Sequence, residues 1–342
     1  MPIDQWFLYA LMKKSRLFEE AVTKLWKAGL ISGEMHLGTG EEAIIAGVVS
    51  QLTPGDAMAV DHRGSAAFLM RGVDPVLLLR EILGQPGGLS GGKGGHMHLF
   101  SKDHLAASSG IVGAGGPAAI GFALAAQYLH PGAIAVAFFG EGAMNQGMLL
   151  ESINLASAWN LPVLFVCKDD GWAITTQSSD STHGIMEERV RGLGVHYMKV
   201  DGLDVKQVFQ AAQQAIARAR TGEGPTFLHA HCVHIEGHFL GLLLLRVTQN
   251  PLRELPGMVV PLIQSFLRPG AKSLSERLAG VRYILSAMQS TLRDPRQFST
   301  NDPVSRARTA LLAEPERLKA LENQIKDEIE TTFASALQEV VV

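Results

Sequence analysis

Two short stretches hold the side chains most able to do chemistry. "FFGEGAMNQG" (138–147) and "CKDDGWAI" (167–174) each set acidic residues among glycines at the end of an apolar run. The first offers Gly140, Glu141, Gly142 and Ala143; the second offers Asp169, Asp170 and, past a glycine, Trp172. Glycines let a backbone approach a phosphate, N–H groups at the start of a following helix favour anions, and gathered carboxylates need a cation. A divalent metal bridging carboxylate and diphosphate satisfies all three. The bland alternative is a pair of acidic, Gly-rich turns that only cap helices. One such turn alone would favour that alternative; two on one sheet edge do not.

Whether they share an edge depends on the elements that carry them. "AIAVAFF" (133–139) and "LPVLFVC" (161–167) read as short parallel strands covered on both faces. Between them Leu149, Ile153, Ala156 and Trp159 recur at helical spacing. Strand, turn, helix and strand make one right-handed βαβ unit, which brings both acidic stretches to the carboxyl ends of neighbouring strands, where α/β sheets bind ligands. "VHYMKVDG" (195–202) and "PTFLHAHCVHI" (225–235) read as two further strands around the helix "DVKQVFQAAQQAIARART" (204–221). Beyond about residue 244 the chain is strand-poor and ends in a long amphipathic helix, "AEPERLKALENQIKDEIETTFASALQEV" (313–340). The expectation is an α/β domain over 1–243, a parallel sheet with helices on both faces, followed by a helical C-terminal extension over 244–342.

Composition narrows the function classes. The 342 residues are 46% hydrophobic and 18% charged, with a formal net charge of −3 and the basic residues scattered, which argues against a nucleic-acid or membrane-surface partner. Cys167 and Cys232 sit inside apolar runs, and the N-terminal "MPIDQWFLYALMKKSRLFEE" mixes charge into an amphipathic helix unlike a signal peptide. No apolar run approaches the ~20 residues of a spanning helix. A reduced, cytoplasmic chain acting on a small molecule is the expectation.

Two patterns invite other readings. "GAGGPA" (113–118) satisfies a dinucleotide fingerprint, but no long β-run ends before it and no acidic residue closes a later strand at the usual spacing. "HAHCVHIEGH" (229–238) suggests zinc, but strand alternation sends His229 and His231 to one face and Cys232 to the other, with no second cluster at structural-zinc spacing.

The acidic stretches also carry a resemblance. "GEGAMNQG", then twenty-six residues from Ala143 to Lys168, then "DDGWAI" resembles the thiamine-diphosphate motif, whose usual form is Gly-Asp-Gly followed by Asn-Asn. "HLGTGEEA" (36–43), "HRGSAAFLMRGVDP" (62–75), "GGKGGHMHLF" (91–100), "GIVGAGGPAAIGFALA" (110–125), "ESINLASAWNLPV" (151–163) and "EGPTFLHAHCVHIEGHF" (223–239) are similar, in order, to the α subunit of the heterotetrameric 2-oxo-acid dehydrogenase first component. "HRG", "GIVGAGGP" and "GHF" tilt the resemblance toward the acetoin type rather than the pyruvate type.

The resemblance implies roles. His36, His62 and Arg63 match residues near the cofactor's diphosphate, Arg63 as a planar charge partner for phosphate oxygens. Gly110 and Val112 match positions whose backbone holds the aminopyrimidine. Glu141, Asp170 and the backbone oxygen of Trp172 match the metal ligands, and Gly140, Gly142 and Ala143 lie beside the diphosphate. His238 matches a histidine of a mobile loop that contacts the cofactor and shapes the site. A β subunit completes the active site, and a lipoyl-bearing acyltransferase accepts the acyl unit.

The departures set further expectations. Glu141 replaces aspartate, one methylene longer, and Asp169–Asp170 replace a pair of asparagines, adding negative charge beside a diphosphate. Magnesium is expected, with calcium or manganese favoured if the site loosens, and Asp170→Asn should turn preference back toward magnesium. Ser65 stands where relatives often carry histidine and His96 where they carry serine; Leu240 and Leu242–Leu245 replace polar loop residues and should pack against other protein. Altered ligands also admit a non-catalytic relative that keeps the fold as a binding or assembly subunit.

Overall fold

The computed structural model describes residues 3–174, 176–240 and 301–338, with scattered residues between 273 and 286. Its helices are α1 (Gln5–Lys27), α2 (Glu42–Val49), α3 (Ser65–Arg71), α4 (Pro75–Ile82), α5 (Gly115–Leu129), α6 (Gly147–Ala158), α7 (Ser178–Ser181), α8 (Met186–Gly192), α9 (Val205–Arg220), α10 (Pro303–Thr309) and α11 (Pro315–Leu337). Its strands are β1 (Ala57–Val60), β2 (Phe100–Ser101), β3 (Ala106–Ser108), β4 (Ala135–Gly140), β5 (Val163–Asp169), β6 (Trp172–Ala173), β7 (Thr176–Gln177), β8 (His196–Asp201) and β9 (Thr226–His231).

Seven strands form one sheet in the order β2-β3-β1-β4-β5-β9-β8, parallel except for β2, while β6 and β7 form a separate hairpin. The expected β4-α6-β5 crossover is present. Alternation along its strands shows why both faces must be covered. Val136, Phe138, Leu164 and Val166 join one apolar cluster, and Ala135, Ala137, Phe139, Val163, Phe165 and Cys167 join the other. Helices α1, α2 and α9 contribute to the first cluster; α5, α6 and α8 contribute to the second. The chain steps from β1 to β3 on one side and to β4 on the other, so the direction of winding reverses beside β1 and opens a crevice at the carboxyl edge.

Within the C-terminal part, α10 and α11 share the first core cluster with α1. The Phe18 and Phe333 rings meet edge to face at 5.4 Å. Arg16 of α1 binds Glu42 at 2.6 Å and Asp302, the N-cap of α10, at 2.8 Å. The expected boundary at 243 and the leucines at 242–245 lie outside the described residues, whereas Leu240 is buried and its N–H donates to the Met35 carbonyl at 2.8 Å. That bond ties the segment after β9 to the segment that carries His36.

Candidate active site at the carboxyl edge of the sheet

Parallel pairing delivers the site residues together. Gly140 lies opposite Lys168 at the end of the β4–β5 register, so Glu141 and the two aspartates leave the sheet side by side. His62 and Arg63 follow β1, Gly110 and Val112 follow β3, and His234 and His238 follow β9. His36 comes from the turn before α2.

The acidic corner is built around Glu141, which is buried and accepts a 2.8 Å bond from Ser178 Oγ. Burial first, then the charges of Asp170 and Asp169, push its carboxyl up to about 8. Gly142 has little room for a side chain, since a Cβ there would sit 3.0 Å from the Ala173 Cβ. The two aspartates part company. Asp169 points its Oδ2 to His229 Nε2 at 2.6 Å, and the other nitrogen of that ring meets the Tyr197 hydroxyl at 2.6 Å. Asp170 places Oδ2 2.7 Å from His234 Nδ1, while its Oδ1 accepts a long 3.3 Å contact from Trp172 N.

Behind this corner lies a buried charge network that sequence reasoning missed. Lys168 has no exposed surface in its side chain; its ammonium donates to Glu41 at 2.6 Å and lies 3.0 Å from Asp61. Glu41 also accepts from His234 Nε2 at 2.9 Å and has Arg63 Nε 3.8 Å away. Burial would raise the Glu41 carboxyl, but Lys168, His234 and Arg63 hold it below its usual range. Burial and Arg63 disfavour a charged His234, yet Asp170 and Glu41 lift it to about 8. A lysine inside the apolar run "LPVLFVCK" was the available signal, because an unpaired ammonium is too costly to bury.

The opposite corner is made of imidazoles. The ring nitrogens of His36, His62 and His238 lie within 4.8 Å of one another, and so do the ligand atoms of Asp170, His234 and His238. Glu141 belongs to neither group. His96 stacks on His36 at 5.6 Å, and its Nε2 lies 3.3 Å from His36 Nδ1. Burial, reinforced by neighbouring imidazoles and Arg63, holds His36 far below its ordinary value. Burial lowers His62 to about 4 and, with Arg63 and His234, lowers His238 to about 3. Arg63 is 2% exposed. Its guanidinium donates to the carbonyls of Leu37 and His238 at 2.6 and 2.5 Å, so it fastens the two segments that carry His36 and His238. Ser65 donates to buried Glu19 at 2.6 Å.

At the mouth of the crevice Gly110 is half-buried, with Ile111 and Val112 exposed by 62% and 49%. The residues fit a diphosphate held through a divalent cation on two grounds. Glu141 and Asp170 place carboxylates together where burial makes their mutual repulsion costly. His62 Nε2 and His238 Nδ1 are buried without a hydrogen-bond partner among the described residues.

Residues 10–241 match the dehydrogenase E1 component family. The chain is 42% identical over 247 residues to the alpha subunit of acetoin:2,6-dichlorophenolindophenol oxidoreductase of Cupriavidus necator, a match covering 70% of this chain and 74% of that one. It is 38% identical to the pyruvate dehydrogenase E1 component subunit alpha of Zymomonas mobilis, over 67% of this chain and 66% of that one. It is 39% identical to the Bacillus subtilis acetoin oxidoreductase alpha subunit, over 69% and 71%.

Proposed function

The chain belongs to the dehydrogenase E1 component family, and from that membership we propose that it is the alpha subunit of a thiamine-diphosphate-dependent acetoin or 2-oxo-acid dehydrogenase. The observation that carries the reading to this chain's own residues is the meeting, at one sheet edge, of an acidic pair that needs a cation with imidazoles that have unused nitrogens. Glu141, Asp170 and the Trp172 carbonyl are the proposed ligands of a divalent metal, with magnesium expected. His36, His62, Gly140, Gly142 and Ala143 line the diphosphate, and the backbone of Gly110 and Val112 meets the aminopyrimidine. When bound, thiamine diphosphate supplies the carbanion and the electron sink that cleave the bond beside the substrate carbonyl.

This chain's part is binding, orientation and charge. Arg63 keeps the His36 and His238 segments in register through backbone carbonyls, which lets His238 reach the reacting region as the proposed catalytic residue. With their values depressed, His62 and His238 are neutral at pH 7 and act as hydrogen-bond donors or acceptors rather than as cations. Exposed Ile111 and Val112 at the mouth suit a half-site that a β subunit covers. A lipoyl group on an acyltransferase would take the acyl unit. "HRG" and "GHF" favour acetoin over pyruvate.

The test is reconstitution with the β subunit, thiamine diphosphate and magnesium, following dye reduction. Turnover of acetoin above pyruvate is expected. Cofactor binding without turnover of either substrate would favour the assembly role, and no cofactor binding with any divalent metal would sink the reading.

A further inference from the structure

His96 sits in the turn before β2, and buried Glu81 of α4 fixes that turn by accepting the N–H groups of Ser90, Gly92 and Gly94 at 2.6, 2.9 and 2.6 Å. His36 is pinned on both sides, by the Leu240 N–H on the Met35 carbonyl and by Arg63 on the Leu37 carbonyl. Between these fixed segments, His96 Nε2 meets two nitrogens of one residue, the His36 backbone N–H at 3.2 Å and the His36 ring Nδ1 at 3.3 Å. A backbone amide can only donate, so His96 Nε2 is an acceptor and the proton of its ring lies on Nδ1. Burial, with Arg63 and His98, lowers His96 to about 4, which keeps the ring neutral at pH 7. An unprotonated His36 Nδ1 would set two lone pairs against each other, whereas a protonated one donates. With His36 itself held neutral, chiefly by burial, its one ring proton lies on Nδ1 and its Nε2 is left as an acceptor.

We infer that His96 is a positioning residue for substrate choice: it locks the proton of His36 on Nδ1, and the Nε2 acceptor so presented favours a substrate with a hydroxyl beside its carbonyl. The inference rests on the proposed reading of this edge as the reacting site. His36 belongs to the imidazole corner, with a ring nitrogen within 4.8 Å of those of His62 and His238. The oxygens of a diphosphate or a carboxylate carry lone pairs of their own, so Nε2 can border the cofactor without bonding to it. Acetoin brings a hydroxyl that donates to Nε2. Pyruvate brings a carboxylate that the Nε2 lone pair repels. A site that accepts a hydrogen bond from its substrate discriminates against the analogue lacking the donor, because the acceptor is then left unpaired.

The test has a spectroscopic and a kinetic arm. In the full chain labelled with nitrogen-15 histidine, wild-type His36 should show an N–H at Nδ1 and a bare Nε2 by NMR. His96→Phe keeps a ring to stack on His36 and removes the acceptor, so both His36 tautomers should appear. In the holoenzyme with its β subunit, the acetoin-to-pyruvate ratio of kcat/KM should then fall about tenfold. His96→Gln, whose side-chain oxygen reaches the place of Nε2, should keep the wild-type tautomer and ratio. A role in ring stacking alone would reverse the behaviour of the two variants. A wild-type His36 protonated on Nε2 overturns the inference even if neither variant folds, and so does a ratio that His96→Phe leaves unchanged. An Nδ1 proton in the spectrum together with cofactor binding but no turnover of either substrate sinks the proposed function, and the substrate choice with it, while upholding the hold of His96 on His36.

Discussion

At the amino edge of the sheet, just before β1, Asp56 is fully buried and every bond it can make is made. Its oxygens accept from the Thr53 N–H at 2.6 Å and the Ile134 N–H at 2.9 Å, and Arg220 closes on it at 2.6 and 3.0 Å. At the carboxyl edge, among the described residues, Glu141 has one side-chain donor, Asp170 has one weakly engaged oxygen, and His62 and His238 each have a buried nitrogen without a partner. The same fold completes its electrostatics at one edge and leaves them incomplete at the other. Closed charge groups hold the structure together, whereas open ones lower the stability of the empty chain and are relieved by what they bind. Lys168 is the instructive exception, a closed ion group at the open edge.

Substitutions can break this contrast. Lys168→Met should have the largest effect, because it strands Glu41 and Asp61 in the interior; a loss of about 3–5 kcal/mol is expected in denaturant unfolding, together with loss of cofactor binding. Asp56→Ala should cost about 3 kcal/mol, with cofactor affinity in the surviving folded fraction unchanged. Equal damage to cofactor affinity from Asp56→Ala would erase the distinction between the edges.

Glu141→Gln should act with the opposite sign. Since the folded chain raises this carboxyl from 4.5 to about 8, its stabilising contribution is complete below 4.5 and is lost as pH rises through about 8. At pH 8 and without metal or cofactor, the variant should melt a few degrees higher than wild type and show a weaker fall of melting temperature from pH 5 to 8, while losing metal-dependent cofactor affinity. Tyr197→Phe should have the smallest effect, about 1 kcal/mol in thermal unfolding, because it removes one hydroxyl from the His229–Asp169 pair and leaves the open corner untouched.

The βαβ unit around "GEG" and "KDD" was legible because it is written in local periodicity: apolar runs covered on both faces, a helix at 3.6-residue spacing and glycines at the turn. The ends of β4, β5 and β8 came within two residues, β5 being expected to end at 167 and observed to end at 169, whereas β9, expected to run to 235, ends at His231. The C-terminal helix was equally legible, but its docking on α1 through Phe333 and Phe18 was not, since no local pattern records which face of another helix will receive it. Glu141 and Asp170, and the histidines proposed to meet the cofactor, were singled out through motif and resemblance. Glu41, Lys168 and His234 were not, because their meaning lies in contacts across 127 and 193 positions of chain.

The zinc-like pattern "HAHCVHIEGH" shows the difference most clearly. Alternation argued against a compact metal knot, and it could not say that His229 and His234 would each face one of the two aspartates. The sequence by itself determined the layered α/β fold, the shared edge for the two acidic turns and the family, because these depend on spacing within short windows. Tertiary structure alone decided which carboxylate has a spare oxygen and which cation stands behind it. Those outcomes depend on parallel strands far apart in sequence ending at the same depth, where burial makes every unmatched charge costly.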